Sequence, residues 1–433
     1  MARSGEHRYP RPVTGSTGAT TDGRAAPTGG RAVRAVPSLL RPLTTTLRWG
    51  PLVALAAGWA LWCARAAATP SGVSWHWFAE GSRQLLAEGT SVYAQHSDLQ
   101  VGPLALLVVA GARAVAGAHA LGLLQVLSTV CLAVVGWALL RLLGPAPSAP
   151  RVAGALAGWL VLAPAWAVLA VRWVHPDDVL ALTLLAVLVA AVARPGRWSV
   201  EVAALAVVLA VAAKPWAVAG VPLLVALPRA RWRAVVLAVV GVAAVWLPFL
   251  LAARGTTGAL APPVRVSDTS VLWWLGLHDG GVVPAWVRPV QLVGAPALAL
   301  LAVLRGRWAG ALLAGLALRF LVDPQHLGYH AAGAVLVALV ADLGSRRWWV
   351  PWRALVTAAV FWQPFTSDYA TRLTTTGGLD HWWFAHPQLV AWAGGAWAVL
   401  AVVDALAQMP RTPGPIVPVG APSTTLAPDA AEP

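Results

Sequence analysis

The sequence predicts an all-α polytopic membrane protein, a bundle of roughly 11 to 13 membrane segments. Three observations predict it. Of the 433 residues, 58% are hydrophobic and only 11% are charged, against about 25% charged in an ordinary soluble domain. The apolar residues recur in runs of about 20, the length that spans a bilayer. The cations, which give a net charge of +14, are almost all arginine. They fall in the N-terminal segment or in short clusters between apolar runs, the pattern of cytoplasmic loops. That distribution argues against nucleic acid as a partner. Short alternating segments, the mark of a transmembrane barrel, are not visible.

Each segment has its own reason. Residues 1–47 are polar and rich in Gly, Pro, Ser, Thr and Arg, which predicts a disordered cytoplasmic tail. The run at 49–68 is too long for a signal-peptide core and reads as an uncleaved anchor. It opens a transmembrane domain over 48–408. Residues 69–100 form a first external loop. Within it Trp75, Phe78, Ala79, Leu85 and Leu86 fall near one helical face, and His76, Glu80 and Arg83 on another. That spacing predicts an amphipathic helix on the membrane surface, either a plain interfacial helix or a cover over a membrane-embedded site. Apolar runs follow at 101–118, 121–143 and 152–171. After a central stretch come runs at 235–253, 287–304, 308–321, 330–342, 351–365 and 389–407. Residues 409–433 are Pro-rich and predict a disordered cytoplasmic tail. Cys63 and Cys131 lie within apolar runs and read as small core residues. The 25 tryptophans, many near run ends, predict interfacial belts.

Charge assigns the loops. Arg194/Arg197, Arg229/Arg231/Arg233, Arg305/Arg307 and Arg346/Arg347/Arg353 mark cytoplasmic turns. The loops with Asp177/Asp178, Asp268/Asp279, Asp323 and Asp368/Asp380 then lie outside. Both chain termini fall in the cytoplasm. If Arg141 and Arg151 are also cytoplasmic, only one of the runs 101–118 and 121–143 crosses fully.

Three polar clusters interrupt the apolar runs, and charges within lipid are costly. In Arg172-Trp173-Val174-His175-Pro176-Asp177-Asp178, proline followed by acids is an ordinary helix start. Two acids at a helix mouth can also take a proton from a hydroxyl or bind a divalent cation such as Mg or Mn. His175 and Asp178, three apart, can share a face, and Arg172 can hold a phosphate. The second cluster is Lys214-Pro215-Trp216, with the sole lysine of the chain. The run 199–227 would be over about 40 Å as one helix, and cytoplasmic arginines flank both ends. It should go out and return, with Lys214-Pro215 at a sunken tip. Lys214 there needs a carboxylate or a lipid phosphate; a snorkelling lysine at a turn is the plainer reading. The third is Arg319 to Tyr329, a Pro-marked turn in which Arg319, His326 and Tyr329 could contact phosphate or sugar. The loops 273–279 and 362–386 combine tryptophan with His and Asp, as belts or as sugar-stacking faces.

Taken in order, these clusters resemble a family. His175-Pro176-Asp177-Asp178, a helix, an Arg cluster, a helix and then Lys214-Pro215-Trp216 look like the GT-C glycosyltransferases. More narrowly, they resemble the actinobacterial polyprenyl-phosphate-mannose-dependent mannosyltransferases of glycosyltransferase family 87, with the DUF2029 proteins. Tyr93 to Leu104 is similar to the end of that family's first loop, and Arg319 to Tyr329 to its late Asp-Pro element. The resemblance covers most of 52–407. It implies an external active site and a polyprenyl-phosphate sugar donor, with a lipid or glycan acceptor of the cell envelope at the plasma membrane. It also implies a first-loop aspartate as base, but this chain has Ser74 there. Asp98, Glu80 or His76 is then the substitute, or the chain is an inactive, lipid-binding relative.

The expected reaction is inverting sugar transfer. A carboxylate of the set Asp98, Asp177 and Asp178 deprotonates the acceptor, Asp177 and Asp178 orient the acceptor or a metal, and Lys214, joined by Arg172 or Arg319, steadies the departing phosphate. A transporter or flippase of lipid-linked sugar is the alternative, since transporters also place polar residues on broken helices.

Overall fold

The computed structural model describes residues 40–68, 71–145, 147–260, 264–345, 350–361 and 386–407. The expected tails up to residue 39 and from 408, Arg346/Arg347, and the loop carrying Asp368 and Asp380 lie outside these residues. By its contacts the chain divides into Met1–Pro51, where only the start of the first helix is described, and Leu52–Pro433.

Among the described residues the fold is helical, without a strand. Six helical runs are long and apolar enough to cross a membrane, and four more are apolar but shorter. This is the architecture of a multi-pass membrane protein. The first helix is α1 (Leu40–Ala66). The loop after it carries α2 (Trp75–Glu88) and the single turn α3 (Val92–Gln95). Then come α4 (Pro103–Ala116), α5 (Ala120–Leu143) and α6 (Ala149–Ala167). A π segment at Val168–Trp173 leads to α7 (Pro176–Ala193) and α8 (Ser199–Ala213). A 3-10 helix at Pro215–Ala226 leads to α9 (Arg231–Ala252). After the short turns α10 (Val271–Trp274) and α11 (Val287–Pro289) come α12 (Ala295–Leu304), α13 (Trp308–Leu321) and α14 (His330–Ser345). The described chain closes with α15 (Trp352–Val360) and α16 (Pro387–Ala407).

The arginines gather one end of the bundle. Arg141 donates to Arg194 O at 3.2 Å, Arg151 to Leu143 O and Leu343 O at 3.0 and 2.9 Å, and Arg307 to Ala405 O at 3.0 Å. These carbonyls end α5, α7, α14 and α16, and terminal carbonyls lack helical donors. Three acids share this basic end, one of them Glu201, which meets Arg233 at 2.8 Å. Arg353 reaches Asp342 at 3.0 Å and Asp404 at 2.5 Å.

Two open questions of topology are decided by packing. The chain does reverse at Lys214-Pro215. Lys214 meets Asp177 at the start of α7, whereas a Cβ on Gly220 would collide with Leu185, two turns farther along α7. Between runs 101–118 and 121–143, the second crosses and the first does not. α4 begins at Gly102, whose N–H donates to Ala213 O at 2.9 Å. It ends next to Leu121, which lies against Gly72; Gly72 is itself bonded to Val171 O at 3.4 Å. Both ends of α4 therefore sit at the end opposite the arginines. Its 14 residues reach only about 21 Å, short of a bilayer core of about 30 Å.

Helix α2 is amphipathic as expected. It buries Phe78, Ala79, Gly81, Ser82 and Leu85. Leu86, placed on that face by its spacing, is instead 66% exposed. α7 is central, with 78% of its apolar stretch buried, and α9 is peripheral, with 17%. The exposed side chains of α9 are Val236, Leu237, Val239, Val240 and their neighbours, an apolar face that suits lipid rather than water.

Candidate functional site

The end opposite the arginines holds a cavity of about 770 Å³, within the size range of small-molecule sites. The local chain at 168–178 builds its inner wall. α6 passes into a π segment, a geometry frequent at functional sites. Val174 then takes φ +57, a left-handed conformation that a β-branched residue rarely adopts and that costs about 1–3 kcal/mol. The kink turns His175 into the cavity and lets Pro176 start α7. The first-loop segment is laced alongside: Val73 N donates to Arg172 O and Ser74 N to Trp173 O, both at 3.0 Å. That pairing places Ser74 Oγ 3.0 Å from His175 Nε2.

The His175 ring is clamped. Tyr329 stacks on it at 3.8 Å with 21° between planes, and Phe78 meets it edge-on at 5.3 Å. Its Nδ1 lies 3.5 Å from Asp177 and 3.8 Å from Asp178. Lys214 Nζ bonds Asp177 Oδ2 and lies 3.4 Å from Asp178 Oδ2. Trp216 Nε1 donates to the other oxygen of Asp178 at 3.1 Å. Lys214 can reach both acids because Pro215 ends α8 and leaves Lys214 extended at φ −148, ψ 117.

On the remaining walls, Arg288 donates to Gln100 Oε1, and to Gln291 Oε1 at 2.8 Å. Arg319 lies 5.0 Å over the Trp216 ring and 3.6 Å from Asp323. The Tyr93 hydroxyl donates to Val101 O at 2.9 Å. Burial pushes this phenol well above its ordinary range, so it stays a neutral donor. Trp173, Trp216 and Trp246 supply aromatic wall.

The charges do not balance evenly around the cavity. Lys214 faces two carboxylates. Arg319 faces one, loosely. Arg288, among the described residues, bonds only neutral amide oxygens. Lys214 is therefore already compensated, and Arg288 is the cation best placed to receive an anion. Of the two anions expected for Lys214, a carboxylate or a lipid phosphate, the structure supplies the carboxylate. Its anion is the carboxylate pair.

The residues of the expected cation site do converge, but they share their acids with Lys214. His175 Nδ1, Asp177 Oδ1 and Asp178 Oδ2 are buried without a hydrogen-bond partner and converge within 4.8 Å, which could suggest a metal. However, the Lys214 ammonium is already bonded to the same two acids. A divalent ion about 4 Å from it would feel a repulsion of roughly 8 kcal/mol at an effective dielectric of about 20, set against the attraction of the two carboxylates. One proton on Nδ1, pointing between the two oxygens, answers the same three atoms.

The other expected residues divide. His76, Asp98, His175, Asp177, Lys214, Arg319 and Tyr329 line the cavity. Asp178 backs the lysine. Three expectations are corrected. Glu80 turns to the exposed face of α2 and pairs with Arg83 at 2.5 Å. His326 packs behind the wall, 3.0 Å from Phe320 O and edge-on to Phe320 and Phe361. Arg172 gives the site its backbone carbonyl, while its side chain is not part of the lining. The loop 273–279 also stands apart, with Trp273 stacked on His278 at 4.9 Å; the loop 362–386 is outside the described residues apart from His386.

The residues that sequence reasoning passed over are Arg288, Gln291 and Trp216 as a donor. For Arg288 a signal existed. It is an arginine at the end of an apolar run on the side where acids, not arginines, prevail. No protein-family model matches the chain, and comparison with curated proteins and with solved structures finds no significant match.

Proposed function

We propose that the chain is a membrane glycosyltransferase that moves a sugar, mannose in the first instance, from a polyprenyl-phosphate donor to a lipid or glycan acceptor of the cell envelope. One observation carries this reading. A guanidinium hydrogen-bonded to amide oxygens, Arg288, shares a cavity with a buried imidazole–carboxylate–lysine cluster at one end of an apolar bundle. Such a site offers an anion site and acid–base chemistry to a ligand whose tail lies in lipid.

In this reading the donor phosphate lies at Arg288 and Arg319, where charge grows as the sugar leaves. The anomeric carbon–oxygen bond breaks, and phosphate departs with the electron pair. The acceptor oxygen attacks the opposite face, with inversion. Trp173 and Trp246 provide apolar faces for the sugar, and the exposed Asp98 at the rim orients the acceptor. Asp177 and Asp178 are engaged by Lys214 and hold the wall.

The test is transfer of radiolabelled mannose from polyprenyl-phosphate-mannose in membranes with and without the protein. Wild type transfers label, and Arg288→Ala lowers the rate about 100-fold or more, with Arg288→Lys in between. Absence of transfer by wild type from any polyprenyl-phosphate hexose would sink the reading. The break at Lys214-Pro215 favours a second one, a transporter of lipid-linked sugar, because transporters bind at interrupted helices. Counterflow in proteoliposomes without transfer selects it. Donor binding with neither activity leaves a lipid-binding relative.

A further inference from the structure

We infer that His175 is the catalytic proton acceptor of this site, reached through the hydroxyl of Ser74. The inference rests on the transferase reading above and adds the residue that takes the acceptor's proton.

The geometry assigns the roles. Nδ1 makes no direct hydrogen bond, and its nearest charged neighbours are Asp177 at 3.5 Å and Asp178 at 3.8 Å, whose negative charge favours the proton on Nδ1. Nε2 then carries the lone pair and accepts the Ser74 hydroxyl at 3.0 Å. His175 and Ser74 both line the cavity. The ring cannot swing away, because Tyr329 covers one face and Phe78 abuts it edge-on. An oriented imidazole with a carboxylate behind it and a hydroxyl before it is the arrangement that makes a base.

Neither carboxylate suits that task itself. Asp177 is fully buried and bonded to Lys214, and Asp178 is shared between Lys214 and Trp216. Their role is positioning. They hold the tautomer and compensate the imidazolium when it forms.

The step balances. The acceptor hydroxyl passes its proton to Ser74 Oγ as the Ser74 proton moves to Nε2. The acceptor oxygen's electron pair forms the new bond to the anomeric carbon. The pair of the broken bond leaves on the donor phosphate. Ser74 ends unchanged, and His175 ends as an imidazolium.

The groups that face His175 are Asp177 and Asp178 on α7, Lys214 after α8, Ser74 before α2, and Tyr329 and His330 at the start of α14. Ser74, Asp177, Lys214, Tyr329 and His330 line the cavity with His175, and the Ser74 hydroxyl is the one bonded to Nε2.

The experiment measures mannose transfer from polyprenyl-phosphate-mannose in proteoliposomes over a range of pH. Donor binding is read in parallel from quenching of tryptophan fluorescence. The proteins are wild type, Ser74→Ala, His175→Gln and the double variant Ser74→Asp/His175→Gln. His175→Gln should lower kcat by about 10²–10⁴-fold with donor binding unchanged. It should also flatten the fall in rate that wild type is expected to show on acidification. Ser74→Ala should lower kcat while keeping that fall. The double variant, with a carboxylate where the hydroxyl stood, should regain at least about tenfold over His175→Gln. An active wild type whose pH profile survives in His175→Gln overturns the inference and leaves the transferase reading standing. So does a sugar covalently attached to Ser74 by mass spectrometry. A wild type that binds donor and transfers nothing overturns both.

Discussion

At the residue scale, the buried quartet of His175, Asp177, Asp178 and Lys214 is the costly feature of this chain. Charges taken out of water are tolerated when paired and bonded. Lys214→Met would leave two buried carboxylates without a cation. We expect a loss of about 3–5 kcal/mol, read from denaturant unfolding in detergent micelles. Lys214→Met/Asp177→Asn removes one charge of each sign and should recover about half of that loss. An additive pair of single effects would mean that the two groups do not act together. Sequence showed that Lys214 needs an anion and that Asp177 and Asp178 need an explanation. It could not pair them, because 37 residues, covering α7 and α8, separate them.

At the element scale, two short irregularities set the site. The π segment and left-handed Val174 aim His175, and Gly102 lets α4 start directly against the end of α8. A Cβ at Gly102 would collide with the Ala212 carbonyl oxygen. That atom belongs to backbone that also carries Lys214, so it cannot yield as a side chain would. Gly102→Ala should therefore cost about 3 kcal/mol or more, at or beyond the upper end for overpacked sites. Transfer should fall along with thermal stability. Gly111→Ala and Gly122→Ala, inside α4 and α5 where a Cβ meets nothing, should instead stabilise by up to about 1 kcal/mol. Periodicity located α2 and the apolar runs well. It could not reveal the π segment, or that α4 returns to the end it started from, since both depend on what the chain packs against.

At the scale of the whole molecule, the two ends of the bundle divide the labour. The arginine-rich end closes helix termini and holds Asp342 and Asp404 on Arg353. The opposite end holds the cavity. Arg353→Met should strand the buried Asp342 and cost about 3 kcal/mol in unfolding measurements. The rate of transfer per folded molecule should stay within about twofold of wild type. A selective loss of rate at full stability would show that the two ends are coupled.

The sequence by itself determined the membrane architecture, the hairpin at Lys214-Pro215 and the polar clusters of one end. Hydropathy, arginine placement and proline act locally, and each is readable along the chain. Tertiary structure alone decided that Lys214 belongs to Asp177 and Asp178, and that Arg288 is left with amide partners. It also set Ser74 against His175 and turned Glu80, His326 and Arg172 away from the cavity. The physical reason is the same in each case. A side chain's charge has a meaning only after its neighbours are known, and these neighbours arrive from helices up to 188 residues away.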